Sequence, residues 1–182
     1  MKLSKLLVTA VLIGGLYNAF ADSENNLIPN GNFSESGKIW ELSYREPELG
    51  TLTYELDDTP AGAGFARLAP LNSAAPRFFS LQQKLAEPPP AGRYKLKAWM
   101  RISDDYAAAM PRVSIGWQLA GQSGEAGSAS VTLDQGVSPG EWVLSESDLE
   151  LPDGITSTYV FLFTYGSMGH VDFDGISLEP LE

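Results

Sequence analysis

Apolar and polar residues alternate most regularly from Tyr94 to Ile102. Tyr94, Leu96, Ala98, Met100 and Ile102 fall on one face, and Lys95, Lys97, Trp99 and Arg101 on the other. This spacing predicts a strand that packs one side into a core and turns the other to water. An indole set among cations on the water side has its ring free for something outside the core, unless a loop covers it and makes it core. Trp99 and Arg101 are therefore the first candidates for a binding face.

Similar short segments recur on both sides. Leu52, Tyr54 and Leu56 alternate within 51–56; Phe65 to Ala69 follows; then Phe79, Leu81, Gln83 and Leu85 stand opposite Phe78, Ser80, Gln82 and Lys84. Pro88-Pro89-Pro90-Ala91-Gly92 halts the chain before the central segment. Beyond it, Tyr106 and the Ala107-Ala108-Ala109 run lie in an expected loop between Asp104-Asp105 and Pro111, with room for one helical turn. Arg112 to Leu119 alternates again, placing Val113, Ile115, Trp117 and Leu119 opposite Arg112, Ser114, Gly116 and Gln118. Residues 121–130 are small and polar, as in a mobile loop or a weak edge strand. Segments 130–133, 142–149, 158–165 and 171–178 complete the series. Strands at this spacing, punctuated by Gly and Pro and without amphipathic helices, predict an all-β fold, an antiparallel β-sandwich.

The segment Thr158 to Tyr165 leaves its phase open. Tyr159, Phe161, Phe163 and Tyr165 share one side, but Val160 and Leu162 between them are also apolar. Either the aromatics face the core, the usual fate of such a stripe, or Val160 and Leu162 do and the rings line a groove.

Composition narrows the function. Lys2 and Lys5, the apolar run Leu6–Leu16 and Ala19-Phe20-Ala21 read as a signal peptide over residues 1–21, so the protein is expected to be exported, to the periplasm or beyond the cell. The apolar run is too short for a spanning helix, and no membrane insertion is expected. Residues 22–182 are then the size of one domain. With no cysteine, disulfides and thiolate metal sites are excluded. The net charge of −11 argues against nucleic acid as a partner. It fits a neutral polysaccharide or oligosaccharide, or a basic protein of the cell envelope.

Several separated motifs together resemble one family. Residues 26–33 read Asn-Leu-Ile-Pro-Asn-Gly-Asn-Phe and are followed by Trp40; Tyr94 to Arg101 reads Tyr-x-Leu-x-x-Trp-x-Arg; Gly140-Glu141-Trp142 opens a late strand; Asp174-Gly175-Ile176-Ser177-Leu178 closes the chain. In this order they resemble the jelly-roll carbohydrate-binding modules of the galactose-binding-like superfamily that accompany secreted cellulases and xylanases. The resemblance spans nearly all of residues 22–182. It implies a jelly roll that binds glycan without catalysis. It also implies a structural Ca2+ between the opening turn and the last strand, weakened here because Ser34 holds the family's glutamate position, Glu35 sits one later, and Gly175 replaces the second aspartate. Asp174 and Glu35 are then its candidate ligands. Such modules usually ride on a catalytic domain, whereas residues 22–182 are expected to form a single module on their own.

Sugar recognition needs rings to stack on pyranose faces and planar polar groups to meet the hydroxyls. The expected set is Trp99 as platform, Arg101, Gln82 and Gln118 as hydrogen-bonding partners, and Tyr44, Arg77 and Tyr106 in loops rimming the groove. Trp40, Trp117 and Trp142 read as core. An enzyme is not expected: His170 is the only histidine, no Gly-x-Ser-x-Gly elbow exists, and the Asp pairs lie in turns and strand ends. A lyase built from Tyr165, His170 and Arg101 is the one catalytic combination on offer.

Overall fold

The computed structural model describes residues 25–43, 50–57, 59–62, 64–71 and 77–182, without the side chains of Arg77 and Ala108. The expected signal peptide and Tyr44 lie outside them. The described residues form ten strands: β1 (Glu41–Leu42), β2 (Gly50–Glu55), β3 (Phe65–Pro70), β4 (Arg77–Lys84), β5 (Gly92–Ile102), β6 (Ala107–Leu119), β7 (Gly127–Thr132), β8 (Val143–Leu151), β9 (Ile155–Met168) and β10 (Val171–Pro180). They make two antiparallel sheets of five, ordered β1-β4-β9-β6-β7 (the first sheet) and β2-β3-β10-β5-β8 (the second). The all-β sandwich is therefore as expected. Among the described residues no helix is long and apolar enough to cross a membrane.

The core lies between the sheets and follows the period-two pattern. Tyr94, Leu96, Ala98, Met100 and Ile102 point inward from β5, Phe79 and Leu81 from β4, and Val113 and Ile115 from β6. Trp40 is core as expected, tilted against Phe33 with 5.4 Å between ring centroids, its indole N–H donating to the Asn30 carbonyl at 3.1 Å. The alanine run makes no helical turn. β6 begins at Ala107 and pairs with β9 through three register shifts, and the one between Ala109 and Arg112 spans Pro111, which lacks the N–H that an uninterrupted ladder needs.

Central strand β10 is buried on both faces and changes phase halfway. Val171 and Phe173 face the core before the bulge, Ile176 and Leu178 after it, and Gly175 makes the switch at φ +56°. A Cβ at Gly175 would lie 2.6 Å from the Ala61 Cβ and 2.9 Å from the Trp99 ring. The opening turn is tied to the same strand by hydrogen bonds. The Asn26 carboxamide oxygen accepts from the amides of Ile28 at 2.9 Å and Leu178 at 3.0 Å, and the Ile176 amide donates to the Gly31 carbonyl at 3.0 Å.

Candidate functional site

The open phase of β9 resolves outward. Thr158, Val160, Leu162 and Thr164 are fully buried, while Tyr159, Phe161, Phe163 and Tyr165 line the outer face of the first sheet. The pairing with β4 decides it: directly opposite residues share a face, so Thr164, Leu162 and Val160, opposite Phe79, Leu81 and Gln83, face the core, and Tyr165, Phe163 and Phe161, opposite Phe78, Ser80 and Gln82, face outward. Phe78 joins the stripe from β4, 5.6 Å from Phe163 and 5.3 Å from Tyr165 by ring centroids. Phe78 and Tyr165 are 48% and 42% exposed, which leaves their ring faces open to a ligand.

Three adjoining depressions follow this stripe. Gln82, Gln118, Glu125, Tyr159 and Phe161 line one of about 180 Å³. Ser43, Ser80, Gln82, Phe161 and Phe163 line a second of about 280 Å³. The third, about 600 Å³, lies between Phe78, Phe163 and Tyr165 on one side and Arg112, Asp134 and Gln135 on the other. The run from Tyr159 to Tyr165 measures roughly 20 Å at about 3.3 Å per residue, which is room for several sugar units in file.

The expected site residues divide between two sheets. Gln82 and Gln118 are on the aromatic face, where the Gln118 carboxamide oxygen accepts from the Ser157 hydroxyl at 2.8 Å. Trp99 and Arg101 are on the outer face of the second sheet, so the structure does not bring them together with Gln82 and Gln118. Trp99 lies over Gly175 with its indole N–H shielded and without a partner. Arg101 is committed to Asp172, its Nε and Nη2 donating to one carboxylate oxygen at 2.9 and 2.7 Å. Arg67 holds the same carboxylate from the other side, at 2.7 and 3.0 Å. Asp172 is fully buried between them, and the Arg101 guanidinium rests on the Trp142 ring at 4.4 Å. Trp142 is therefore half-buried on that outer face instead of core, whereas Trp117 is half-buried against the end of the core. Tyr106 is turned inward: its hydroxyl bonds the Ala109 carbonyl at 3.0 Å and Thr164 Oγ1 at 2.5 Å, and burial pushes it up to about 12. Arg77 opens β4 opposite Gly166 instead of sitting in a loop.

The expected calcium ligands, Asp174 and Glu35, each have partners within the chain. Both oxygens of buried Asp174 accept backbone amides, from Ala61 at 3.0 Å and Gly175 at 2.6 Å, and burial raises its carboxyl to about 6. Glu35 is exposed and paired with Lys38 at 2.8 Å. No cluster of three or more potential metal ligands occurs among the described residues. The lyase combination also separates: Tyr165 is on the first sheet's outer face, Arg101 on the second's, and His170 is 4.0 Å from Asp172.

The residues that sequence reasoning missed are Phe78, Arg112 and Glu125. One signal was present: tyrosines at both ends of the 159–165 stripe, in phase with each other and out of phase with the small β-branched Thr158 and Thr164.

No protein-family model and no curated protein matches the sequence. Solved structures do match its fold. A family 16 carbohydrate-binding module aligns with TM-score 0.63 at 18% identity, over 86% of this chain and 100% of that one. A family 61 module solved with β-1,4-galactotriose gives 0.55 at 17%, over 86% and 99%. The enzymatically active domain of the bacteriophage CBA120 tailspike protein 4 gives 0.65 at 17% over 86% of this chain, which spans only 21% of that longer protein. The chain thus has the β-sandwich fold of carbohydrate-binding modules, as its motif order implied.

Proposed function

We propose that the outer face of the first sheet binds a glycan chain laid along β9, and that the protein acts as a non-catalytic carbohydrate-binding module. The observation that carries this reading is the half-exposed stripe of Tyr159, Phe161, Phe163 and Tyr165 with Phe78 beside it and carboxamides at Gln82 and Gln118. Ring faces supply apolar platforms for pyranoses; Gln82, Gln118 and Ser80 supply donors and acceptors for hydroxyls. These groups are uncharged, which suits a neutral sugar backbone. Glu125 and Asp134 lie in separate depressions at opposite ends of the stripe, an arrangement suited to accepting hydrogen bonds from hydroxyls and not to a catalytic pair across one bond.

The test is electrophoresis of the native protein through gels containing soluble glucans, xylans, mannans or galactans. At least one polymer should retard the wild type, and Phe78→Ala should migrate closer to its sugar-free position. Equal mobility with and without every polymer would reject the reading.

A further inference from the structure

The chain holds 23 acidic and 12 basic residues, so a cation without a carboxylate partner is unexpected. Among the described residues the pairing is nearly complete. Lys38 is paired with Glu35, Arg67 with Asp172 and Glu55, Arg93 with Asp148, Lys95 with Glu146 and Asp148, Lys97 with Glu179, and Arg101 with Asp172. The described lysine and arginine side chains left without such a partner are Lys84 and Arg112. Both lie over rings of the β9 stripe, Lys84 at 5.7 Å from the Tyr159 centroid and Arg112 at 4.0 Å from that of Phe163. The cations withheld from ion pairing are thus both on the outer face that carries the β9 aromatic stripe.

Arg112 is the better placed of the two. It is exposed, it borders the 600 Å³ depression, and it shares a cross-strand row with Phe163 and Thr132. A guanidinium resting on a ring keeps its N–H donors, which radiate in its own plane and match the two oxygens of a carboxylate. Asp134 borders the same depression and makes no ion pair with Arg112 among the described residues. Together with a net charge of −11, it opposes a run of anionic groups while Arg112 admits one.

We propose that the Arg112 end of the groove is a subsite for a single uronic acid unit on an otherwise neutral glycan. This rests on the reading of the face as a glycan site. The test titrates the protein with gluco-, xylo-, manno- and galacto-oligosaccharides carrying one uronic acid, each beside its twin in which that carboxyl has been reduced to the alcohol. In the series that binds, the acidic form should bind about tenfold tighter, a preference that shrinks as salt rises. Arg112→Gln should bind the two forms alike, and Arg112→Lys should recover part of the preference. Equal binding by the wild type, or a preference that survives in Arg112→Gln, overturns the subsite and leaves the glycan face standing. Binding of neither form in any series overturns both.

Discussion

Both outer faces of the sandwich set arginine against aromatic rings, and the two sets serve different ends. On the second sheet Arg101 lies on Trp142, but its donors are spent on Asp172, which Arg67 also grips. Lys95 and Lys97 beside it are paired as well. On the first sheet Arg112 lies on Phe163 with no described carboxylate to hold it, and Phe78 and Tyr165 stay exposed. The first arrangement is closed by the chain's own groups; the second keeps its donors unspent. A cation over a ring is therefore not in itself a binding signature, and what decides is whether the cation's hydrogen bonds are already made.

The comparison can be broken most forcefully at Asp172. Removing a buried carboxylate that neutralises two guanidiniums costs about 3–5 kcal/mol, so Asp172→Asn should unfold at much lower urea concentration than wild type, with any glycan binding by the folded fraction retained. An unchanged midpoint would show that the second face is not held together by this network.

A smaller effect on the same face depends on pH. Asp174 is raised by burial from 3.8 to about 6, so the folded state binds its proton more tightly than the unfolded state does. Its stabilising contribution is whole below about pH 4 and is lost as pH rises through 6. A shift of this size corresponds to about 2–3 kcal/mol at most. Relative to Asp174→Asn, the wild type should lose urea resistance steadily between pH 4 and pH 7. Parallel pH profiles for the two proteins would remove that role.

The arginines offer the direct contrast. Arg101→Ala should lower the melting temperature by several degrees, because it strands part of Asp172, whereas Arg112→Ala should stay within about 0.5 kcal/mol of wild type, as exposed substitutions do. Comparable losses in both would erase the distinction between the faces. Smallest of all, chelator against added calcium should leave the melting temperature in place, since Asp174 is satisfied by amides and Glu35 by Lys38.

Much of the fold was legible because period-two alternation reports burial on one face directly. β5 follows its pattern residue for residue, and the inward set Phe79, Leu81 and Gln83 of β4, continued by Leu85 just beyond it, is likewise as the alternation predicts. Pattern alone failed where both faces are apolar. In β9 the choice between aromatic and aliphatic sides depended on neighbours, Phe79 opposite Thr164 and Ser80 opposite Phe163, and those pairings exist only once the sheet is assembled. The site was half legible for the same reason. Alternation places Trp99 and Gln82 each on the outer side of its strand, but strand order, which one sequence does not reveal, puts β5 and β4 in different sheets. The bulge at Gly175 and the commitment of Arg101 to Asp172 are likewise consequences of pairing, not of local propensity.

The central claim is that the ligand face is the one with its hydrogen bonds unspent, and calorimetric titration of Tyr165→Ala beside Trp99→Ala, with a glycan the wild type binds, tests it most directly. Loss of an exposed stacking ring should weaken binding about tenfold or more in Tyr165→Ala, while Trp99→Ala keeps the wild-type affinity. The reverse pattern, with Trp99→Ala losing binding and Tyr165→Ala retaining it, would return the site to the second sheet and contradict the account.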